Sequence, residues 1–136
     1  MRKLIILLVL SLCACSNQFS EPTCTMVDFS ERTEKVWNNF NELESLAVES
    51  PHNDKIKLPS IMNQLQETRD VYAQLKLPSC YEAAHSSYLE YMDLTIETWS
   101  YVVEGGEAFD SEFWDLMNVS TIALGRAIDE SNKLGK

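Results

Sequence analysis

The chain has 136 residues, of which 21 are Asp or Glu and 11 are Lys or Arg, giving a formal net charge of −10. Such a field repels nucleic acid and anionic head groups, so a phosphate-binding or nucleic-acid-binding role is disfavoured. The acids are spread along the chain rather than blocked, as on a solvated surface, and the length suits one ordinary domain with its own hydrophobic core.

The N-terminus carries a targeting signal. Arg2 and Lys3 form a positive start, Leu4 to Leu12 form an apolar run interrupted only by Ser11, and Leu12-Cys13-Ala14-Cys15 follows. The run is too short to span a bilayer, and no stop-transfer segment follows it, so it reads as a peptide that is removed. Leu12-Cys13-Ala14-Cys15 resembles the lipobox of bacterial lipoproteins. That resemblance implies cleavage after Ala14 and acylation of Cys15, with the small Ala14 in the position where Cys13 would have the bulky Leu12. Residues 1–14 are then a signal peptide, residues 15–27 a lipidated tether and residues 28–136 the folded domain. Removing 14 of the 136 residues leaves 122 and takes the charge from −10 to −12, because Arg2 and Lys3 are lost and no acid is.

Four amphipathic helices are expected after the tether. In the first, Phe29, Thr33, Val36, Phe40, Leu43 and Ala47 alternate in steps of four and three. Asp28-x-x-Glu31 suits a capping box at its start, and Ser50-Pro51-His52-Asn53-Asp54 should end it in a turn. The second helix should start at Pro59, whose fixed φ and missing N–H fit a first helical position, with the seam Ile61, Leu65, Thr68, Tyr72 and Leu75. Ser79-x-x-Glu82 forms a second capping box, opening a third helix with the seam His85, Leu89, Met92, Ile96, Trp99 and Val103. Tyr91 and Tyr101 fall off that seam and should be exposed, either as rim tyrosines with their hydroxyls in water or, alternatively, as a ligand or partner patch. Gly105-Gly106 ends this helix. Asp110 caps a fourth, Phe109 and Trp114 are placed as a hydrophobic staple, and Phe113, Leu116, Ser120, Ala123 and Ala127 form its seam. Lys133 to Lys136 should fray. Four such helices with short connections predict an all-α, antiparallel up-down-up-down four-helix bundle.

That topology bears on the cysteines. With Cys13 in the signal and Cys15 acylated, Cys24 and Cys80 remain, and an oxidising compartment favours a disulfide between them over a metal site. Helices one and three run the same way in the expected bundle, which brings both cysteines to one end. Two free thiols are the alternative. No C-x-x-C or C-x-x-C-H occurs, which argues against thioredoxin-like chemistry and covalent haem.

Glu82-x-x-His85 has the ligand spacing of di-iron carboxylate bundles, but those need the motif twice and it occurs here once. The competing reading is a capping glutamate beside a core-edge histidine. Noncovalent haem on His85 with Met26, Met62, Met92 or Met117 is a further alternative, weighed against methionine as a gap-filling core residue. No G-x-S-x-G elbow or phosphate-binding glycine loop is present, so no enzyme is expected and no cofactor.

Leu77-Pro78-Ser79-Cys80 with Ala84-His85, Leu89 and Met92-Asp93 resembles a pattern in small helical lipoproteins of the bacterial envelope. The resemblance implies an all-helical extracytoplasmic domain and brings no activity with it. The sequence therefore predicts a non-enzymatic binding or interaction module, held to a bacterial membrane through lipid on Cys15, with an envelope protein as a potential partner. A metal- or haem-binding bundle using His85 is the alternative.

Overall fold

The computed structural model describes residues 24–53 and 57–135. The expected signal peptide, Cys15 and the expected tether as far as residue 23 lie outside these. The described chain is all-α, with α1 at Met26–Asn53, α2 at Leu58–Ala73, α3 at Glu82–Val103 and α4 at Ser111–Ser131. No strand occurs among the described residues.

Helix α1 starts earlier than the Asp28 box predicts. Thr25 takes the capping position: its Oγ1 accepts the Asp28 N–H at 3.2 Å, and its carbonyl accepts the Phe29 N–H at 3.0 Å. Asp28 is thereby inside the first turn, with its carboxylate free for other partners. At the far end α1 runs through Pro51 to Asn53 rather than stopping at Ser50. A proline so close to the end forfeits few intrahelical bonds, and the Ser50 hydroxyl donates to the Leu46 carbonyl one turn back at 2.8 Å.

Helix α2 follows its seam. Ile61, Met62, Leu65, Thr68 and Tyr72 are buried, joined by Leu58 at the N-terminus, where Pro59 occupies the first turn as expected. Helix α3 departs more. Ser79–Tyr81 form a 3-10 turn, so the Glu82 N–H bonds to the Ser79 backbone carbonyl and no side chain caps the helix. The Ser79-x-x-Glu82 capping box does not form.

The buried face of α3 is also turned from the predicted seam. Ala84, Tyr91, Met92, Thr95, Thr98 and Trp99 are buried, whereas His85, Leu89 and Ile96 are half-buried and Val103 is exposed. The cause is that α3 touches three neighbours: Tyr91 reaches α1, His85 meets Tyr72 of α2, and Thr95 meets Ser120 of α4. A helix covered from three sides has a wide face that a single seam misplaces.

Helix α4 begins as predicted. Asp110 Oδ1 accepts the Phe113 N–H at 2.8 Å, and the Phe109 and Trp114 rings lie 5.8 Å apart as the staple. Its buried face of Phe113, Ser120, Ala123, Ala127 and Ser131 is mostly small, which lets α4 lie close against α3. Leu134, expected to fray, instead packs with Leu77 against Phe29, Tyr81 and Ala84 in a small second core. The main core is built from Phe40, Leu65, Tyr72, Met92, Trp99 and Phe113. No described helix is long and apolar enough to cross a membrane.

Candidate functional site

Cys24, just before α1, and Cys80, in the turn before α3, form a disulfide with Cα atoms 6.0 Å apart. Next to it, Tyr81 is fully buried and its hydroxyl donates to Asp28 Oδ2 at 2.6 Å. Arg32 Nε donates to the same oxygen at 2.8 Å, one helical turn along α1. The Arg32 hydrogen bond, followed by that of Tyr81, holds the Asp28 carboxyl below the ordinary carboxylate range. This end of the molecule is therefore fixed by a covalent bond, a charge-assisted pair and the Phe29–Tyr81 contact, with ring centroids 5.4 Å apart.

A cleft of about 240 Å³ opens beside this fixed end. Its aromatic walls are Phe29 and Trp37 of α1, Tyr72 of α2 and Tyr88 of α3. Tyr88 is the hub: Trp37 meets it edge-on at 4.7 Å and 68°, Phe29 lies at 6.0 Å and Tyr72 at 6.5 Å. Trp37 and Tyr88 are half-buried, so their rings are shared between core and cleft. Among the described residues Glu34 is the one charged side chain on the lining, with Ser30 supplying a hydroxyl. Among the described residues the lining holds no histidine, cysteine or lysine. It is lined by four aromatic side chains, one carboxylate and a few polar groups.

His85 stands directly behind this wall. Its ring stacks on Tyr72 at 4.8 Å, and its Nε2 lies 2.8 Å from the Tyr72 carbonyl oxygen. A carbonyl only accepts, so Nε2 carries the proton and donates. Glu82 is exposed in the first turn of α3, and no group of three His, Cys, Asp or Glu side chains suited to a metal exists among the described residues. Of the methionines weighed as haem ligands, Met62 and Met92 are packed in the core. His85 therefore has the geometry of the core-edge histidine.

Tyr91 and Tyr101 are not the exposed rim that their positions predict. Tyr91 is buried and donates to Glu44 Oε2 at 2.7 Å, while Tyr101 is half-buried and donates to Asp110 Oδ2 at 2.7 Å. The cleft itself was not foreseen, because Tyr72 belongs to a core seam and Tyr88 flanks one. The available signal was Trp37, a large aromatic one position off the α1 seam at Val36. No protein family, curated protein or solved structure gives a match to this chain.

Proposed function

We propose that the chain is an extracytoplasmic bacterial lipoprotein, acylated on Cys15 after removal of residues 1–14, whose helical domain is a non-enzymatic binding module of the cell envelope. The pairing of Cys24 with Cys80 carries this reading, because structural disulfides persist in exported proteins and are rare in a reducing cytosol. It agrees with the lipobox, which addresses the chain to the same side of the membrane. Eight residues lie between Cys15 and Cys24, so a fully extended segment would reach roughly 30 Å at most. Cys24 and the start of α1 would then lie within that distance of the bilayer.

The proposed topology is up-down-up-down. Its support is the register of contacts, in which residue numbers rise along one helix as they fall along the next. Asn39 bonds to Thr68, while Leu46 shares a surface groove with Ile61 and Gln64. Tyr72 meets His85 as Arg69 meets Asp93, and Glu90 meets Arg126 as Thr95 meets Ser120. Phe29 meeting Tyr81 and Phe40 meeting Tyr91 fit α1 and α3 running in one direction.

Metabolic labelling with radioactive palmitate tests the anchor. The wild-type chain should take up label and sediment with membranes, Cys13→Ala should behave alike, and Cys15→Ala should lose the label. Unlabelled wild-type protein with Met1 intact would overturn the lipoprotein reading.

A further inference from the structure

We infer that the outer face of α4 joins two copies of this chain, paired antiparallel through Asp115, Val119, Ile122 and Arg126. The inference goes beyond the reading above and does not depend on the lipid anchor.

The four positions are spaced by four, three and four residues, so they form one stripe along the helix. The opposite side of α4, with Phe113, Ser120, Ala123 and Ala127, is buried. The stripe faces water. Val119 is 47% exposed, Ile122 57% and the Arg126 side chain 55%, and Asp115 is exposed with them. Two β-branched apolar side chains in the middle of a solvent-facing stripe gain neither burial nor helix propensity there. Gly125, beside this stripe, is likewise a poor choice inside a helix, yet nothing lies within 4 Å of an added Cβ. The fold of one copy does not require a glycine at that position. The close approach of a second helix would.

The order of the residues says what that helix is. The midpoint between Ser120 and Thr121 is also the midpoint of Asp115 with Arg126 and of Val119 with Ile122. A two-fold axis at that midpoint sets Asp115 of each copy opposite Arg126 of the other, and Val119 opposite Ile122. Each contact is then made twice, as in any isologous pair. A parallel pair would instead set Asp115 against Asp115 and Arg126 against Arg126, so the charges select the antiparallel arrangement. Arg126 already gives one N–H, from Nη2, to Glu90 at 2.7 Å. A guanidinium carries five N–H donors, so it can hold a second carboxylate at the same time. The net charge of −10 opposes association at long range, and one helix pair is a small contact, so the pairing is of the weak, transient kind.

The test is sedimentation equilibrium of the full-length protein in density-matched detergent, at concentrations up to about 1 mM. Wild type should show a reversible monomer–dimer equilibrium. Ile122→Glu should be monomeric with its helical circular dichroism and denaturant midpoint retained, because the position is exposed in the single copy. Asp115→Arg and Arg126→Asp should each weaken pairing about tenfold, since each sets like charges opposite one another twice. The decisive sample mixes these two variants. Every introduced charge then meets its opposite across the two-fold axis, so the mixture should form a heterodimer about as tight as the wild-type dimer. A folded wild type that stays monomeric throughout the range would overturn the proposal. So would dimers that persist in Ile122→Glu, which points to the micelle or another surface, or a mixture no tighter than its separate variants. Because palmitate labelling at Cys15 is read separately, loss of pairing would leave the anchor standing, and the reverse.

Discussion

The hydroxyl of Tyr91 on α3 donates a 2.7 Å hydrogen bond to Oε2 of Glu44 on α1, joining the two helices through a half-buried glutamate. Burial pushes the Glu44 carboxyl above its ordinary value, and the Tyr91 hydrogen bond only partly offsets it. The same burial, with Glu44 adjacent, raises the Tyr91 phenol, so the phenol stays protonated and remains the donor.

A pH dependence follows from Glu44. An acid whose folded pKa is raised binds more protons when folded than when unfolded, so its favourable contribution is present below the ordinary glutamate pKa and is lost as pH climbs above it. Glu44→Gln keeps an oxygen to accept from Tyr91 and removes the buried charge. Urea unfolding of wild type and Glu44→Gln should give similar stabilities near pH 4, with the variant gaining steadily towards pH 7. A difference that is flat with pH would show that Glu44 is not held in this way. Asp28 and Asp110 act in the opposite sense, since both are depressed by their partners and weaken the fold as pH falls. The comparison is therefore between variant and wild type at each pH.

Cys24 and Cys80 close a loop with a sequence separation of 56. By the chain-entropy estimate such a closure adds about 4 kcal/mol, acting on the unfolded chain. Cys24→Ser with Cys80→Ser should lower unfolding stability by an amount of that order in denaturant titrations. Non-reducing peptide mapping should recover the two cysteines in one cross-linked fragment. Recovery of both as free thiols from envelope-derived protein would contradict the pairing.

Trp99 is fully buried between α3 and α4, edge-on to Phe113 at 5.1 Å, and its indole N–H has no hydrogen-bond partner among the described residues. An orphaned donor costs about 1–3 kcal/mol, comparable to the packing lost when indole becomes phenyl. Trp99→Phe should therefore stay within about 1 kcal/mol of wild type, while Trp99→Ala, which opens a large cavity, should lose about 3–5 kcal/mol. Equal, large losses in both variants would mean that the N–H is satisfied in solution.

The all-α class was legible because periodicity at 3.6 is a strong signal over helices as long as α1 and α3. Asp110, Phe109 and Trp114 were legible because a cap and its staple are local. What failed was non-local or depended on small differences between local options. Thr25 out-competed Asp28 as the cap of α1, and nothing in the sequence shows that Asp28 is wanted three residues inside the helix by Tyr81, 53 positions away. Ser79 lost its capping role to a 3-10 turn that also holds the bonded Cys80. The pairing of Cys24 with Cys80 could be argued from topology. The cleft could not, since whether Tyr72 and Tyr88 share a core or line an opening depends on how four helices diverge.

The connection between α3 and α4 is organised around a glycine for a steric reason, not a conformational one. The Gly106 N–H donates to the Tyr101 carbonyl at 2.9 Å, and the Tyr101 ring folds back over the glycine so that a Cβ there would overlap the ring carbons. The ring cannot easily yield, because its hydroxyl is tied to Asp110 Oδ2, and Asp110 is in turn the cap of α4 through the Phe113 N–H. Gly106→Ala should therefore lower stability by about 1–3 kcal/mol, the usual range for forcing atoms into occupied space. Gly105 nearby provides the contrast, since its φ is +113° and nothing lies within 4 Å of an added Cβ, so Gly105→Ala is penalised through backbone strain alone. The two mechanisms separate in a double-mutant cycle with Tyr101→Ala. Removing the ring should relieve most of the Gly106→Ala penalty and leave the Gly105→Ala penalty unchanged, as read from denaturant midpoints. Additive losses for Gly106→Ala and Tyr101→Ala would show that the ring does not lie over Gly106 in solution.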